Sequence, residues 1–335
     1  MVKLIIFILF VTLFLLGCTT NQPQDKTQDE PQEKFDDKIE GTLCNAVIRN
    51  HNKADNDRVN IIFVGFNISK DDFVEFLPNA VDYDATGFTT SFRQKYKYIT
   101  ESGELIIVEP GQEINFYGFL GMEPFKSNKN KFNFWYVDEI QSVNIPKPSK
   151  KGLPSSACSF LCKSDIEQTC GLKNVFVANI CHATGCTPSA VFNSDEFYIT
   201  NTEPANIRVF IHEFGHSFGG LADEYAPAWQ KREPAEGLSR YPNCAPDLET
   251  AKRWWSDLEG QGEGDLKIGY FPGCSFVGEY FKPTKSSFMS ASIMQGFGPV
   301  NERHLLELLD YFSGEKPSSE KDMTAIRKEL ADKRS

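Results

Sequence analysis

The chain has 335 residues, of which 40% are hydrophobic and 24% are charged, as in a globular protein with one large domain or two modest ones. Its formal net charge of −11 argues against a nucleic-acid partner, because binding to phosphates requires a basic surface. The charge by itself identifies no other class of partner.

The first 17 residues have the pattern of a signal peptide. Lys3 precedes an apolar run over residues 4–16, which is shorter than the roughly 20 residues that span a bilayer as a helix. The run ends in Leu-Leu-Gly-Cys at residues 15–18, which resembles a bacterial lipobox. An ordinary signal peptide is the alternative. We expect residues 1–17 to be a lipoprotein signal peptide and Cys18 to carry the lipid that anchors the protein to a membrane.

The segment that follows Cys18 predicts a tether. Residues 19–40 contain almost no apolar side chains, so they cannot bury enough surface to offset the entropy of ordering. We therefore expect a lipidated cysteine and disordered tether over 18–40, a single folded domain over 41–313 and a charged tail over 314–335. Such a protein would be exported and would face outside the cytoplasm, at the cell surface or in the periplasm.

Eight cysteines follow Cys18, and an even number in an exported protein favours disulfides. Five of them lie between residues 158 and 186, close to His182. A structural zinc site is the alternative for this cluster, but its spacing lacks a repeated Cys-x-x-Cys. Among the possible pairings, we expect a bridge between Cys244 and Cys274.

Segments rich in aromatic and β-branched residues predict strands along the first two thirds of the chain. The predicted strands cover residues 58–65, 104–108, 114–120, 132–137, 174–180 and 196–200. A helix is predicted from Lys70 to about Leu77, and a loop over 146–156. Strands that alternate with helices indicate an α/β fold with a mixed, twisted sheet.

A second predicted helix follows the last strand. The segment Thr202-Glu203-Pro204 favours a helix start, because it offers a capping hydroxyl, an acid in the first turn and a proline that needs no amide hydrogen. Apolar residues then recur at helical spacing and define a buried face: Ile207, Phe210, Ile211, Phe214 and Phe218. The pair Gly219-Gly220 predicts that the helix ends there and that the chain turns back.

The polar side of this helix carries His212-Glu213-Phe214-Gly215-His216. Because His212 and His216 are four residues apart, their imidazoles project from the same side and can share one tetrahedral metal ion. Glu213 lies beside the first histidine, where its carboxylate can act on water. This His-Glu-x-x-His pattern serves zinc-dependent peptide hydrolysis most often.

A catalytic zinc site needs a third protein ligand and an open fourth position. Asp223 is the predicted third ligand, because a chain that reverses at the glycine pair can bring it back to the metal. Glu224 is the alternative, since both carboxylates are oxygen donors that zinc accepts.

The segment from His212 to Tyr225, His-Glu-Phe-Gly-His-Ser-Phe-Gly-Gly-Leu-Ala-Asp-Glu-Tyr, resembles the signature of the IgA-peptidase family of zinc metalloendopeptidases, which are metzincin-like. Weaker similarity extends over much of residues 58–310. The resemblance implies a single zincin-type catalytic domain with an HExxH active-site helix. It also implies that Zn²⁺ is bound by His212, His216 and Asp223, with Glu213 as the general base. The immunoglobulin substrate that named the family does not carry over.

Metzincins also place a methionine turn beneath the metal, and two methionines are candidates. Met289 is preferred, because Lys282-Pro283-Thr284 precedes it at the distance seen in the family. Met294 is the alternative and has the more usual Ser-Ile-Met form. Tyr225 is predicted to have a structural role.

These patterns together predict a zinc-dependent endopeptidase that hydrolyses extracytoplasmic proteins, with Glu213 activating a zinc-bound water. Residues 226–280 are expected to form one wall of the cleft, and the strand at 197–200 to pair with an extended substrate as an edge strand does. Two alternatives stay open. One is a cell-surface binding or adhesion protein with a structural zinc site, and the other is a zinc amidase that acts on cell-wall material.

Overall fold

The computed structural model describes residues 44–50, 55–91, 96–99, 105–137, 163–182, 189–190, 195–203, 205–227, 232–234, 241–290 and 296–313. The predicted signal peptide, lipidated Cys18, tether, C-terminal tail and Met294 lie outside these ranges. Among the described helices, none combines the length and the hydropathy that a membrane crossing requires.

Twelve strands and five α-helices form within the described ranges. The strands are β1 (Cys44–Ile48), β2 (Val59–Phe66), β3 (Phe88–Ser91), β4 (Tyr96–Ile99), β5 (Leu105–Val108), β6 (Glu113–Phe116), β7 (Phe132–Val137), β8 (Val175–Cys181), β9 (Ser189–Ala190), β10 (Glu196–Thr200), β11 (Phe271–Cys274) and β12 (Val277–Lys282). The α-helices are α1 (Lys70–Val81), α2 (Lys163–Cys170), α3 (Ala205–Ser217), α4 (Leu248–Trp255) and α5 (Pro299–Phe312). Short 3-10 helices cover Asp55–Asp57, Phe119–Gly121, Lys126–Lys131, Ser256–Leu258 and Gly264–Leu266.

A six-stranded mixed sheet forms the centre of the fold, in the order β1-β7-β2-β8-β10-β9. The four inner strands are parallel to one another, whereas β1 and β9 are antiparallel to their neighbours. The predicted α/β class with a mixed sheet is therefore confirmed. Three two-stranded sheets, β3/β6, β4/β5 and β11/β12, accompany it.

The predicted strands at 132–137 and 196–200 have the observed bounds, and those at 58–65 and 174–180 are displaced by one residue. The strand predicted over 114–120 is wrong beyond Phe116, because residues 119–121 form a 3-10 helix. The prediction that residues 197–200 form the edge of the sheet is wrong at Phe197 and Tyr198, which pair with β9. β9 lies beside them and pairs Ala190 with Phe197, so β9 is the last described strand on that side.

The inner strands are buried on both faces, as their continuous apolar sequences require. One face packs against α1, α3 and α5 in a large apolar core. The opposite face packs against α2, and the disulfide between Cys44 and Cys170 joins α2 to β1. Cys181 is also disulfide-bonded, which favours the disulfide interpretation of the cysteine cluster over a second zinc site.

An aromatic cluster centred on Phe119 fixes α3 to the sheet. The Phe119 ring is fully buried, and its centroid lies 4.2 Å from that of Phe125 and 4.9 Å from that of Phe214 in α3. The ring centroids of Phe132 and Phe210 lie 5.1 Å and 5.4 Å from that of Phe119, in edge-on and tilted orientations. Because the apolar side of α3 is held in this cluster, its polar side is presented away from the sheet.

We expect the substitution Phe119→Ala to lower the free energy of unfolding by about 3–5 kcal/mol, because it removes a buried ring from a cluster that cannot collapse around the gap. Urea denaturation of the soluble protein beginning at Thr19 measures this. The control is Tyr117→Ala, since Tyr117 is two residues away and 48% exposed; its substitution should change stability by about 0.5 kcal/mol or less. Equal losses in the two variants would contradict the central position of Phe119.

Candidate metal centre

The C-terminal end of α3 positions the site. Gly220 has a positive φ of 57°, a conformation that favours glycine, and its N–H donates to the His216 carbonyl at 3.0 Å. The Leu221 N–H donates to the Gly215 carbonyl at 3.2 Å, which completes a Schellman motif. The predicted helix end at the glycine pair is confirmed, and the turn carries the following residues back beneath the helix.

Backbone carbonyls orient both histidine rings. His212 Nδ1 lies 2.7 Å from the Phe288 carbonyl oxygen, and His216 Nδ1 lies 2.7 Å from the Leu221 carbonyl oxygen. Because a carbonyl oxygen only accepts, each Nδ1 carries the donated proton, and the neutral ring therefore has its lone pair on Nε2. The two Nε2 atoms face each other at 3.1 Å.

Asp223 brings a third donor to the same point. Its Oδ1 lies 3.2 Å from His212 Nε2 and 3.3 Å from His216 Nε2. This oxygen is buried, and neither contact has good hydrogen-bond geometry. The three ligand atoms lie within 4.8 Å of one another. Two imidazole nitrogens and one carboxylate oxygen form a donor set that zinc accepts, and they fit a shared cation better than they fit one another.

The charged groups of the cluster shift one another's pKa values. Burial lowers the pKa of His216, but the contact with Asp223 and the charges of Asp223 and Glu213 outweigh burial and raise the pKa to about 9. Burial raises the pKa of Asp223, but the two histidines outweigh it and hold that pKa far below its usual range. In the metal-free protein, a proton on His216 therefore takes the place of a cation. A metal must displace that proton to bind.

Glu213 lies beside the donors and is only 6% exposed. Burial raises the pKa of its carboxyl group, while the two histidines lower it. The carboxylate accepts a hydrogen bond from the backbone N–H of Ala190 in β9. The edge strand thus orients the group that the sequence predicts as the general base.

Glu224, the alternative third ligand, lies outside the group of converging donors. It is fully buried, and its N–H donates to the Met289 carbonyl at 2.6 Å. Its two carboxylate oxygens accept four hydrogen bonds, from Asn243 at 2.9 Å, Asn301 at 2.7 Å, Thr284 at 3.2 Å and Ser287 at 2.8 Å. The two adjacent carboxylates therefore have different environments, and only that of Asp223 faces the histidines.

Met289 lies beneath α3, as the sequence predicts for the methionine turn. It is fully buried, and a Cβ placed on Gly215 would approach its sulfur to 2.6 Å. A larger residue at position 215 would therefore require the Met289 side chain to move. The preceding Phe288 supplies the carbonyl that orients His212, so this segment both supports the helix and fixes a ring.

A hairpin that the sequence analysis missed holds the Asp223 segment. Ser275 and Phe276 form the turn between β11 and β12 with positive φ values of 51° and 65°. Their N–H groups donate to the carbonyls of Asp223 and Tyr225, at 2.8 Å and 2.9 Å. The disulfide between Cys244 and Cys274, which the sequence predicted, ties this turn to its neighbours. A two-residue turn of this kind usually contains Asn or Gly, so Ser-Phe gives no signal.

The Tyr225 side chain belongs to the same arrangement. Burial and the charge of Asp223 raise the pKa of the Tyr225 hydroxyl, so this hydroxyl stays protonated and donates a hydrogen bond to Asp223. Of the other histidines, His304 is buried and contacts the Gly219 carbonyl at 2.8 Å, whereas His182 is exposed.

No family model matches the chain, and no curated protein matches it.

We expect Asp223→Asn to raise the zinc dissociation constant by more than about 100-fold, because loss of a direct ligand exceeds the 10–100-fold effects of outer partners. Glu224→Gln should raise it by about tenfold or less. That substitution should instead destabilise the fold by about 1–3 kcal/mol, since an amide –NH₂ would then face buried donors. Chelator competition and urea denaturation measure the two quantities. The reverse pattern would identify Glu224 as the ligand.

Replacing the disulfide by Cys244→Ala and Cys274→Ala together should weaken zinc binding about 10–100-fold, because the turn that holds the Asp223 backbone is released. The 30-residue separation also implies a stability loss of about 3–4 kcal/mol. The matched control is the double replacement of Cys44 and Cys170, a disulfide on the other side of the sheet. It should lower stability and leave zinc affinity of the folded protein unchanged. Equal zinc affinity in the two double variants would rule out a role of the Cys244–Cys274 disulfide in metal binding.

Proposed function

We propose that the chain is a zinc-dependent endopeptidase in which His212, His216 and Asp223 hold the metal. The observation that carries this proposal is the convergence of two imidazole Nε2 atoms and a buried, otherwise unpartnered carboxylate oxygen on one point. The resemblance of residues 212–225 to the IgA-peptidase signature supports it. So does the methionine beneath the helix, which metzincin-like zincins share.

The chain's own groups account for the proton transfers of peptide hydrolysis. When bound, zinc polarises a carbonyl and makes water more acidic. The Glu213 carboxylate would accept a proton from water and deliver it to the nitrogen of the leaving amine. Its pKa is raised by burial and moves toward the working pH, which favours a group that both accepts and donates a proton. The Ala190 N–H holds this carboxylate in one orientation.

The edge of the sheet offers a place for an extended substrate. β9 is antiparallel to β10, contains only Ser189 and Ala190, and lies directly beside Glu213. A peptide aligned along β9 would donate backbone hydrogen bonds to the carbonyls of an edge strand, a common mode of peptide recognition, while the Ala190 N–H stays bonded to Glu213. The role that the sequence assigned to residues 197–200 therefore passes to β9. The β11–β12 hairpin would form the facing wall.

The proposal includes export and lipid anchoring at Cys18. The disulfides Cys44–Cys170 and Cys244–Cys274 support it, because disulfides persist in oxidising compartments outside the cytoplasm. A protein or peptide in that compartment would be the substrate.

The deciding experiment is digestion of a mixed peptide library by the zinc-loaded soluble form, beside its Glu213→Gln variant. We expect one bound zinc per chain in both. Cleavage by the variant should be slower by about 10²–10⁴-fold, because it lacks the general base. Mass spectrometry reads the cleavage sites. If both forms bind zinc and neither cuts a peptide, the peptidase proposal fails. Release of fragments from cell-wall material would then indicate an amidase, and no release would indicate a structural zinc site.

A further inference from the structure

Arg232, an exposed arginine, lies beside the candidate metal centre. The Arg232 guanidinium carbon lies 4.5 Å from the centre of the Phe276 ring. The backbone N–H of Arg232 also donates to the Phe276 carbonyl at 2.7 Å. The Phe276 ring lies 5.1 Å from the ring of Tyr225, edge to face. Because Tyr225 hydrogen-bonds to Asp223, a short series of contacts links Arg232 to the donors.

Phe276, whose ring contacts the guanidinium, has an unusual backbone conformation. Phe276 carries the ring at a φ of 65°, a conformation that a bulky residue rarely adopts. Such backbone outliers concentrate at functional sites, where surrounding contacts hold them in place. Here the N–H bond to the Tyr225 carbonyl and the neighbouring Cys274 disulfide supply those contacts.

The contact with the Phe276 ring involves the face of the Arg232 guanidinium. A guanidinium that lies over a ring uses its face, so its N–H edge can still donate to a planar acceptor such as a carboxylate. Among the described residues, no carboxylate forms an ion pair with Arg232, although 46 Asp and Glu residues make the chain strongly acidic. The exposed Lys252 and the partly buried Arg303, by contrast, are paired with acids.

The formal charges at the site favour an anionic ligand. A divalent ion would offset the negative charges of Asp223 and Glu213, so these two carboxylates would not repel an anionic ligand that approaches Arg232. An acidic side chain would therefore gain attraction here that a neutral or basic side chain would not.

We propose that Arg232 is a specificity-determining residue that binds a carboxylate of the substrate, so that the enzyme cleaves peptides with Asp or Glu near the cleaved bond. This inference rests on the proposed peptidase function. The shared ring contact makes Phe276 the residue that positions the guanidinium.

The test compares peptides that differ only by Glu or Gln, with the substitution moved through each position. We expect the wild type to favour Glu at one position by about tenfold in kcat/KM, mostly through KM, as for one charge-assisted hydrogen bond. Arg232→Ala should reduce this ratio to about one, with zinc content unchanged. Arg232→Glu should favour a Lys peptide at that position. The matched control Arg253→Ala, on the exposed side of α4, should keep the wild-type ratio.

A binding measurement separates failure of this inference from failure of the proposed function. Calorimetry of the zinc-loaded protein with a Glu-containing peptide hydroxamate and its Gln counterpart needs no catalysis. A preference for Glu that Arg232→Ala abolishes supports carboxylate recognition even if no peptide is cut. Equal affinities in the wild type, or a preference that survives in Arg232→Ala, would overturn the inference even if cleavage is efficient.

Discussion

The structure depends on one electrostatic constraint, the approach of three electron-pair donors to a single point. Two imidazole nitrogens at 3.1 Å and a carboxylate oxygen at 3.2 Å and 3.3 Å from them would repel one another unless a cation or a proton lay between them. Their orientations are nevertheless fixed, because each ring donates from Nδ1 to a backbone carbonyl. The remainder of the fold supplies the stabilisation that this arrangement requires.

That stabilisation comes from separate parts of the chain. The Schellman turn at Gly220 carries the carbonyl that orients one ring, and the segment at Met289 carries the carbonyl that orients the other. The hairpin turn at Ser275 holds the backbone of Asp223. Glu224 joins separate parts of the chain, because its carboxylate accepts hydrogen bonds from four side chains in three segments. Two adjacent carboxylates thus differ in role, since one is saturated with donors and the other is not.

Local patterns made much of this predictable. Continuous apolar runs located the four inner strands, and the spacing of His212 and His216 placed both rings on one side of a helix. The sequence predicted that Asp223 lies near the two histidines only because the glycine pair implied that the chain reverses direction there. The sequence could not distinguish Asp223 from Glu224, since that difference depends on donors up to 77 residues away. β9 was missed because two small residues carry no strand signal, and it displaced the predicted edge at 197–200.

The contacts around α3 can order the donor residues before any metal ion binds. Small zinc domains fold only when metal is bound, because the metal provides most of their stabilisation. Here α3 is held from the opposite side by the aromatic cluster around Phe119, which includes no residue of the donor set. In the metal-free protein, the raised pKa of His216 keeps a proton beside Asp223 near neutral pH, and this proton offsets the carboxylate charge. At the proposed metal site, a divalent cation would therefore exchange with this proton, and folding rather than binding would order the ligands.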